Sequence, residues 1–521
     1  MHTPTAPVTE NATLAEPAPV AVPVAAVPAN TKAPALTATA DFEVRERRLK
    51  SILTYQGTAH DLNERSKCLS LKTARRPFQQ CSDCSQMCAE TLTYCIKGAA
   101  VVVHSPIGCC SEASPSNVSI NVVARSRGIG EHQTVRAVCT NIQERDTIYG
   151  ASGKLRGAIT LAFKRYAPTA IFVQSSCAAG IIGDDIESVT DEMAATLGIP
   201  VVPIFCEGFK SRMWSSGFDA VFHGVLRKVV RPPRTTQEDL VNIFNFLGSD
   251  SFTPLLAKLG LRANYLLPLA DIETIASMSE AACTAHICET LATYVAQGLE
   301  RSYGVPEVKA PSPFGIAWTD LWLRAVARHT GKSDIVESVI DAEHERIAPR
   351  LAVLRHELAG KKVYIFAGDS YAHSLTNMAI DLGLKPVGIA TLHHDQKVDG
   401  DFEELNTLGT LVADRGDIDN FTVCNKQPYQ MIKILRRLDP DLLIVRHQGL
   451  TIMGAKLGIP TILEGDVNVS AGYEGVLKIG ERLVQVLRTR KLLRTIADRV
   501  EWPYTDRWLE KQGDIFVKEA F

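Results

Sequence analysis

Short apolar runs alternate with helical stretches along this chain. This pattern is compatible with few folds. The run AIFVQ at 170–174 is followed by a loop, a helical stretch to about residue 197 and a second run, VVPIF, from Val201. The same order recurs after 362–367 (KVYIFA) and after 441–445 (DLLIV). Repeated strand–helix–strand units with short connections are typical of parallel sheets with helices packed on both faces, so the pattern predicts an α/β fold.

The length of 521 residues exceeds what one hydrophobic core accommodates, so two to three α/β domains are expected. The N-terminus is rich in Ala, Pro, Val and Thr and lacks the charged start of a signal peptide, which predicts a disordered tail. The charged segment 41–71 is predicted to be helical. We therefore divide the chain into four parts. Residues 1–45 are expected to form a disordered Ala/Pro-rich tail, and residues 46–235 a first α/β domain. Residues 236–358 are expected to form a second, helix-rich α/β domain, and residues 359–521 a third α/β domain.

Composition excludes several classes of partner. The net charge of -2 creates no basic field that would attract nucleic acid or an anionic membrane. No stretch reaches the roughly eighteen apolar residues that a membrane-spanning helix needs, and a cytoplasmic protein is expected. Thirteen cysteines in such a chain point to metal or redox chemistry before disulfides, although free cysteines also serve as ordinary core residues.

Several cysteines occupy loop positions next to predicted strands. Cys177 follows the strand at 170–174, and Cys109 follows the apolar run AAVVVH, while Cys81 and Cys84 lie upstream in QCSDCSQMC. Because ligands of parallel sheets bind at the carboxyl ends of the strands, these thiols are expected to meet. Thiolates gathered in this way suit an iron–sulfur cluster, but the Cys-x-x-Cys spacing is equally typical of zinc or redox sites.

Four motifs resemble those of the α-type subunits of nitrogenase component one and its relatives. HSPIGC at 104–109 is similar to their His-Gly-Pro-(Val/Ile)-Gly-Cys, and SSCAAGIIGDDIESV at 175–189 to their Cys-Pro-x-x-x-Ile-Gly-Asp-Asp-Ile-Glu-Ala-Val. CEGFKS at 206–211 is similar to Cys-Glu-Gly-Phe-Arg-Gly, and CETLATYVAQGLERSYGVP at 288–306 resembles the segment whose leading cysteine binds the active-site cofactor. The resemblance continues weakly to about Arg488 and implies the fold of that family, with three Rossmann-like domains built on parallel sheets flanked by helices.

The resemblance implies two iron–sulfur centres and two protein partners. Cys109 and Cys177 match ligands of an 8Fe-7S P-cluster shared with a β-type subunit, and the third ligand matches Cys84 or Cys81, with Cys84 slightly preferred. Cys288 matches the terminal iron ligand of an 8Fe-9S-C-type cofactor, with or without a heterometal; the alternative is an ordinary helix cysteine. An α2β2 heterotetramer and an ATP-dependent iron protein as electron donor are also implied, and the chain itself lacks a Gly-x-x-x-x-Gly-Lys-Ser/Thr phosphate loop.

The chain departs from dinitrogen-reducing members of that family beside the cofactor. Where those members carry a Gln and, four residues later, a His, this chain has Trp214 and Phe218, followed by Asp219. Aromatic rings cannot relay protons as imidazole does, so we expect these three residues to form a changed catalytic pocket, although both rings could be ordinary core packing. His104, His223 and Asp219 are candidate proton donors, with His104 better suited to orient the Cys109 loop.

A second departure concerns the far end of the cofactor, where nitrogenases place a histidine ligand. The matching position here is Gly465 or a neighbour, and the segment 463–475 contains no histidine. The cofactor would therefore have one protein ligand or a replacement. The candidate replacements are Glu464, Asp466, His393, His394 and His447.

These departures make dinitrogen reduction a poor expectation. Flat apolar walls suit an alkyl or thioether substrate better than a small diatomic. Among nitrogenase relatives the combination most resembles the α-type subunit of methylthio-alkane reductases, which cleave C–S bonds of thioethers to give methanethiol and a hydrocarbon. The second candidate function is a scaffold subunit for nitrogenase cofactor assembly, and the third is a true nitrogenase.

Overall fold

The structure is a computed structural model that describes residues 41–73, 84–110, 113–130, 133–244, 250–267, 269–401, 403–423, 428–446, 448–465, 470–511 and 513. The predicted tail up to residue 40, the alternative cluster ligand Cys81 and two candidate cofactor ligands, Asp466 and His447, lie outside these residues. Among the described helices, none combines the length and apolar character that crossing a bilayer requires.

The strands of the described residues are β1 (Ser51–Ile52), β2 (Tyr55–Gly57), β3 (Ala99–His104), β4 (Ala137–Cys139), β5 (Ala170–Ser175), β6 (Val201–Ile204), β7 (Gln237–Phe244), β8 (Arg262–Leu267), β9 (Ala281–His286), β10 (Lys362–Ala367), β11 (Lys385–Thr391), β12 (His394–Asp395), β13 (Phe421–Val423), β14 (Leu442–Val445) and β15 (Thr461–Leu463).

The α-helices are α1 (Arg45–Arg48), α2 (Ala59–Lys67), α3 (Ser85–Tyr94), α4 (Ala113–Ser126), α5 (Glu144–Tyr149), α6 (Ser152–Tyr166), α7 (Cys177–Ile182), α8 (Ile186–Leu197), α9 (Ser216–Lys228), α10 (Thr253–Ala257), α11 (Ile272–Ala276), α12 (Glu289–Tyr303), α13 (Ile316–Thr330), α14 (Val336–Leu358), α15 (Asp369–Asp381), α16 (Gln396–Asp401), α17 (Thr407–Arg415), α18 (Pro428–Leu438), α19 (Gln448–Lys456), α20 (Gly472–Leu487), α21 (Arg490–Ala497) and α22 (Asp506–Glu510). Short 3-10 turns occur at Ile107–Cys109, Met278–Glu280 and Glu403–Leu405.

The first sheet has the strand order β4-β3-β5-β6, and all its pairings are parallel. Every residue of β3 and β5 is buried, as expected for central strands covered by helices on both faces. The two strands run in register from the Ala99–Ala170 pair to the His104–Ser175 pair. Their carboxyl ends therefore lie side by side, which confirms the predicted placement of the two loops that follow.

The second sheet lies in the helix-rich middle region and contains strands that the sequence pattern did not locate. Its strands β8, β7 and β9 pair in parallel and precede α12. The sequence of β7, QEDLVNIF, has no continuous apolar run because one buried position is polar. The Asn242 amide donates to the Met278 carbonyl at 2.8 Å and lies 3.3 Å from Thr284 Oγ1, so its burial is compensated by hydrogen bonds.

The third sheet has the order β15-β14-β10-β11-β13-β2, and the pairings among its first five strands are parallel. The edge strand β2 comes from the N-terminal segment and pairs antiparallel with β13, and β1 pairs antiparallel with β12. The prediction of a wholly helical segment 41–71 was therefore wrong for its two short strands. The domain boundaries proposed from the sequence stay a prediction.

Candidate metal and cofactor site

Three cysteines predicted to bind a cluster lie at the ends of elements of the first sheet. Cys84 is the N-cap residue of α3, Cys109 ends the 3-10 turn that follows β3, and Cys177 is the first residue of α7 after β5. Since β3 and β5 are neighbours, their following loops emerge at the same edge. The fold thus directs all three residues to one region.

The backbone of Gly208 shows how closely two of these thiols approach. A Cβ atom added to Gly208 would lie 3.2 Å from Cys84 Cβ, 3.7 Å from Cys84 Sγ and 3.6 Å from Cys177 Sγ. Burial raises the pKa of the Cys109 thiol, and the charges of Cys84 and Cys177 raise it further. The structure therefore places the three thiols in one neighbourhood, with Gly208 packed closely against Cys84.

A cluster of several irons fits this donor set better than a single ion. Within the described residues, three ligand atoms lie within 4.8 Å of one another only in groups of aspartates and histidines. The sulfur atoms of these three cysteines do not form such a group. One zinc ion would therefore not reach all three thiols, whereas a multi-iron cluster spans larger distances. Cys109 is exposed and the other two cysteines are half-buried, which suits a centre shared with a second subunit.

Replacing Gly208 with alanine is expected to weaken cluster binding without unfolding the chain. The new methyl group would press on Cys84 Cβ at 3.2 Å, a distance tighter than ordinary packing, and would touch Cys177 Sγ at 3.6 Å. Iron per chain and the paramagnetic signal of the cluster should fall several-fold in protein purified without oxygen. The control is Gly157→Ala on exposed α6, where an added Cβ meets nothing within 4 Å. Equal iron contents in the two variants would contradict this role of Gly208.

Cys288 lies at the start of α12, as its N-cap residue. Burial raises the pKa of its thiol, while the backbone N–H groups of Leu291 and Thr290 and the charge of Arg446 act in the opposite direction. Arg45 interacts electrostatically with the same thiol. Because burial and the charge of Glu289 outweigh these effects, the pKa of the thiol is raised overall. A bound iron would have to displace the proton, after which the helix N-terminus and the two guanidinium groups would favour the thiolate.

Asp219 is held by two arginines rather than facing the pocket alone. Arg45, which is fully buried, donates from Nη2 to Asp219 Oδ1 at 2.7 Å and from Nε to Oδ2 at 3.1 Å, and Arg48 Nη2 donates to Oδ2 at 2.7 Å. Arg45 also pairs with Asp395 at 3.4 Å and donates to the carbonyl of Thr290. Asp219 therefore fixes the position of Arg45, and its predicted catalytic role stays a prediction.

Trp214 and Phe218 form an aromatic wall together with His393. The Trp214 ring lies 5.6 Å from the Phe218 ring and 5.8 Å from the His393 ring, nearly perpendicular to both. Trp214 is half-buried, and its Nε1 has no hydrogen-bond partner in the part of the chain that the structure describes. His393 is buried, with Nε2 3.5 Å from Asp395 Oδ2. The wall thus joins the Phe218 helix to the carboxyl end of β11.

At the position where relatives carry a histidine ligand, an arginine occupies the space. Gly465 has a φ of +132°, and a Cβ added there would collide with the side chain of Arg446. Glu464 is buried, pairs with Arg482 and accepts a hydrogen bond from the Ser470 N–H at 2.8 Å. Because its oxygens are already engaged, Glu464 is poorly placed to replace the missing ligand. Arg446 was not recognised from the sequence.

The two histidines considered as proton donors, His104 and His223, have protein partners. His104 lies with Nδ1 3.1 Å from Thr140 Oγ1 and Nε2 3.0 Å from Asp184 Oδ2, and burial lowers its pKa. This arrangement anchors the end of β3 and suits the orienting role predicted for it. His223 Nδ1 lies 2.8 Å from the hydroxyl of Tyr294, so it is buried in a polar contact next to α12.

Comparisons with known proteins identify the family of this chain. The family model described as nitrogenase component 1 type oxidoreductase matches residues 84–488. The nitrogenase iron-molybdenum cofactor biosynthesis protein NifE of Rippkaea orientalis is 26% identical over 92% of this chain and 100% of its own length. The nitrogenase molybdenum-iron protein alpha chain of Methanococcus maripaludis is also 26% identical, over 77% of this chain and 88% of its own.

A solved structure, "Nitrogenase Cp1 at pH 5", superposes with a TM-score of 0.66 and 21% identity, covering 84% of this chain and 92% of that chain. This likeness confirms the predicted α/β fold with parallel sheets flanked by helices. With the family model matching most of the chain, the protein belongs to the nitrogenase component 1 type oxidoreductases, a family whose members carry iron–sulfur clusters.

Proposed function

We propose that this chain is the α-type subunit of a nitrogenase-like reductase that cleaves the C–S bond of methylthio-alkanes. For ethyl methyl sulfide, two electrons and two protons break the S–ethyl bond and form an S–H and a C–H bond, giving methanethiol and ethane. Low-potential electrons would come from an ATP-dependent iron protein through a P-cluster shared with a β-type subunit. An α2β2 assembly in the cytoplasm is part of the same proposal.

Cys84, Cys109 and Cys177 would hold this chain's half of the P-cluster, and Cys288 would hold the active-site cofactor. The cofactor, of the 8Fe-9S-C type with or without a heterometal, would supply the multi-electron chemistry. Its protein environment would supply ligation and a positive field. Arg446 would offset negative charge at the end where nitrogenases place their histidine ligand.

The observation that carries the substrate proposal is the aromatic wall. Trp214 and Phe218 replace the polar side chains with which dinitrogen-reducing members face their cofactor, and they meet edge to face at 5.6 Å. Such rings exclude water and pack favourably against methyl groups and thioether sulfur. The Trp214 N–H, which has no partner among the described residues, remains a single polar contact for substrate or product.

The test is turnover of thioethers by the complex purified without oxygen. We expect ethane from ethyl methyl sulfide, and ethylene from methylthioethanol, whose hydroxyl group takes the second proton and leaves as water. Each reaction consumes two electrons and two protons and should release an equal amount of methanethiol. Trp214→Ala should raise KM about 10-fold with a smaller effect on kcat, because the lost contact is mainly a binding contact. Trp508→Ala, at a residue that is 52% exposed, is the control and should leave both constants unchanged. Absence of product at full cluster occupancy would overturn the substrate proposal.

A cofactor-assembly scaffold is the second candidate, and the comparisons favour it. The cofactor biosynthesis protein of Rippkaea orientalis matches over its full length, and a scaffold would need the cysteines without the second histidine ligand. A scaffold would transfer a cluster precursor to an apoprotein and would show no thioether turnover. Incubating the loaded complex with an apo-nitrogenase and measuring the activity gained separates the two functions.

A further inference from the structure

A second group of buried metal-binding side chains lies at the carboxyl ends of β10 and β11, apart from the cysteines. It contains Asp369 and His373 on α15, His394 on β12 and Asp399 on α16. The side chains are between 0% and 4% exposed. His394 Nδ1 lies 3.1 Å from Asp369 Oδ1 and 3.4 Å from Asp399 Oδ2, and His373 Nε2 lies 3.9 Å from Asp369 Oδ1. The ligand atoms of Asp369, His373 and Asp399 all lie within 4.8 Å of one another, and His394 contacts both carboxylates.

Each histidine of this group is oriented by a hydroxyl on its other ring nitrogen. His373 Nδ1 lies 3.0 Å from Thr407 Oγ1, and His394 Nε2 lies 2.7 Å from Ser66 Oγ. These contacts leave His373 Nε2 and His394 Nδ1 directed toward the two aspartates. Such outer contacts are the usual way in which proteins orient histidines that bind metal.

The two carboxylates are oriented in the same manner by backbone N–H groups. Asp369 Oδ2 accepts from the Asp395 N–H at 2.8 Å, and Asp399 Oδ1 accepts from the Leu408 N–H at 3.2 Å. The remaining oxygens, Asp369 Oδ1 and Asp399 Oδ2, face the histidines. Oxygen and nitrogen donors are therefore preorganised around a common centre.

Two of the inward atoms have no hydrogen-bond partner. Within the described residues, His373 Nε2 and Asp399 Oδ2 are buried and make no hydrogen bond; their charged neighbours lie at 3.9 Å and 3.4 Å. Both residues belong with Asp369 to the group whose ligand atoms are all within 4.8 Å of one another. A buried polar atom without a partner is costly, and native proteins rarely keep two such atoms in one place. Their convergence indicates a ligand that accepts both.

We propose that Asp369, His373 and Asp399 bind one divalent transition-metal ion, with His394 orienting the carboxylate of Asp369 by a hydrogen bond. One imidazole and two carboxylates suit Zn²⁺, Mn²⁺ or Fe²⁺, and the two carboxylates balance the charge of the ion. A neighbouring combination of Asp369 with His393 and Asp395 is less suitable, because Asp395 already pairs with Arg45 and accepts from a serine hydroxyl.

The ion would fix the end of β11 in place. His394 and Asp399 come from the segment that follows β11, and His373 comes from the helix that follows β10. The same segment carries His393, whose ring contacts Trp214 at 5.8 Å. Binding would therefore stabilise one side of the aromatic wall.

The test locates the ion in the complete complex, purified without oxygen and supplied with Mn²⁺ or Zn²⁺. Anomalous diffraction at the manganese, iron and zinc absorption edges should show one ion between Asp369 and His373. His373→Gln and Asp399→Asn keep the side-chain shape and should lower the affinity at least about 10-fold. The exposed His356→Gln variant on α14 should bind like the wild type.

A second readout covers variants that fold poorly. Treating the wild-type complex with a chelator should lower its melting temperature, and added Mn²⁺ or Zn²⁺ should restore it. The paramagnetic signal of the cysteine-bound cluster should stay constant throughout. No anomalous peak at this position with millimolar metal present, or an undiminished peak in His373→Gln, would overturn the proposal; the four side chains would then form a proton-sharing network only.

Discussion

Cys288→Ala is expected to lose the active-site cofactor while the cluster at Cys84, Cys109 and Cys177 stays bound. Cys288 is the sole cysteine at the start of α12, and its thiolate is supported by backbone N–H groups and arginine charges that alanine cannot use. Removing a ligand of this kind costs at least about 100-fold in binding. Iron per complex should fall by the cofactor's share, and reductase activity should disappear.

Cys283→Ala provides a matched control five positions earlier. Cys283 is fully buried in β9, and burial raises the pKa of its thiol to about 12, so it is an inert core residue. This variant should keep its iron and its activity. If Cys288→Ala kept the same iron content as Cys283→Ala, the ligand assignment would be wrong, and Cys288 would be an ordinary helix cysteine.

Arg45→Met is expected to cause the largest loss of stability among single substitutions near the pocket. Arg45 is fully buried between Asp219 and Asp395, and the charges of these carboxylates raise its pKa although burial alone would lower it. Breaking a buried ion pair by removing one partner costs about 3–5 kcal/mol, because a charge is left uncompensated. Thermal unfolding should therefore begin several degrees lower.

Two further variants separate this ion pair from general damage. Arg65→Met removes an exposed pair with Asp61, whose side chain is 52% exposed, and should change stability by less than about 1 kcal/mol. The double variant Arg45→Met/Asp219→Asn removes one uncompensated charge and should regain part of the lost stability. A double variant as unstable as the sum of its single substitutions would contradict coupling between Arg45 and Asp219.

Strands that are buried on both faces could be predicted from the sequence because their apolar runs are continuous. The run at 170–174 became β5, and 362–367 became β10 without change. The strand β7 was missed because Asn242 interrupts the apolar pattern, and its burial depends on partners at 278 and 284. The N-terminal strand β2 was missed because its three residues are too few to show the alternation of apolar and polar side chains that marks a strand.

The positions of the candidate cluster cysteines could be predicted because each lies in a motif that directly follows a strand or starts a helix; their role as ligands stays a prediction. Arg45 and Arg446 could not, because their significance depends on contacts across the chain. Arg45 meets Asp219, 174 positions away, and no local pattern signals such a pairing. Arg446 is defined by its packing against Gly465. The residues that shape the charge around Cys288 are thus visible only in three dimensions.

Cys84, Cys109, Cys177 and Cys288 are proposed to bind iron and sulfide. A density map of the complex, purified and frozen without oxygen, tests this proposal most directly. We predict inorganic density bonded to Cys84, Cys109 and Cys177 at the edge of the chain and to Cys288 beside Trp214 and Arg446. Thiols surrounded by packed side chains alone, in a sample protected from air, would contradict the account.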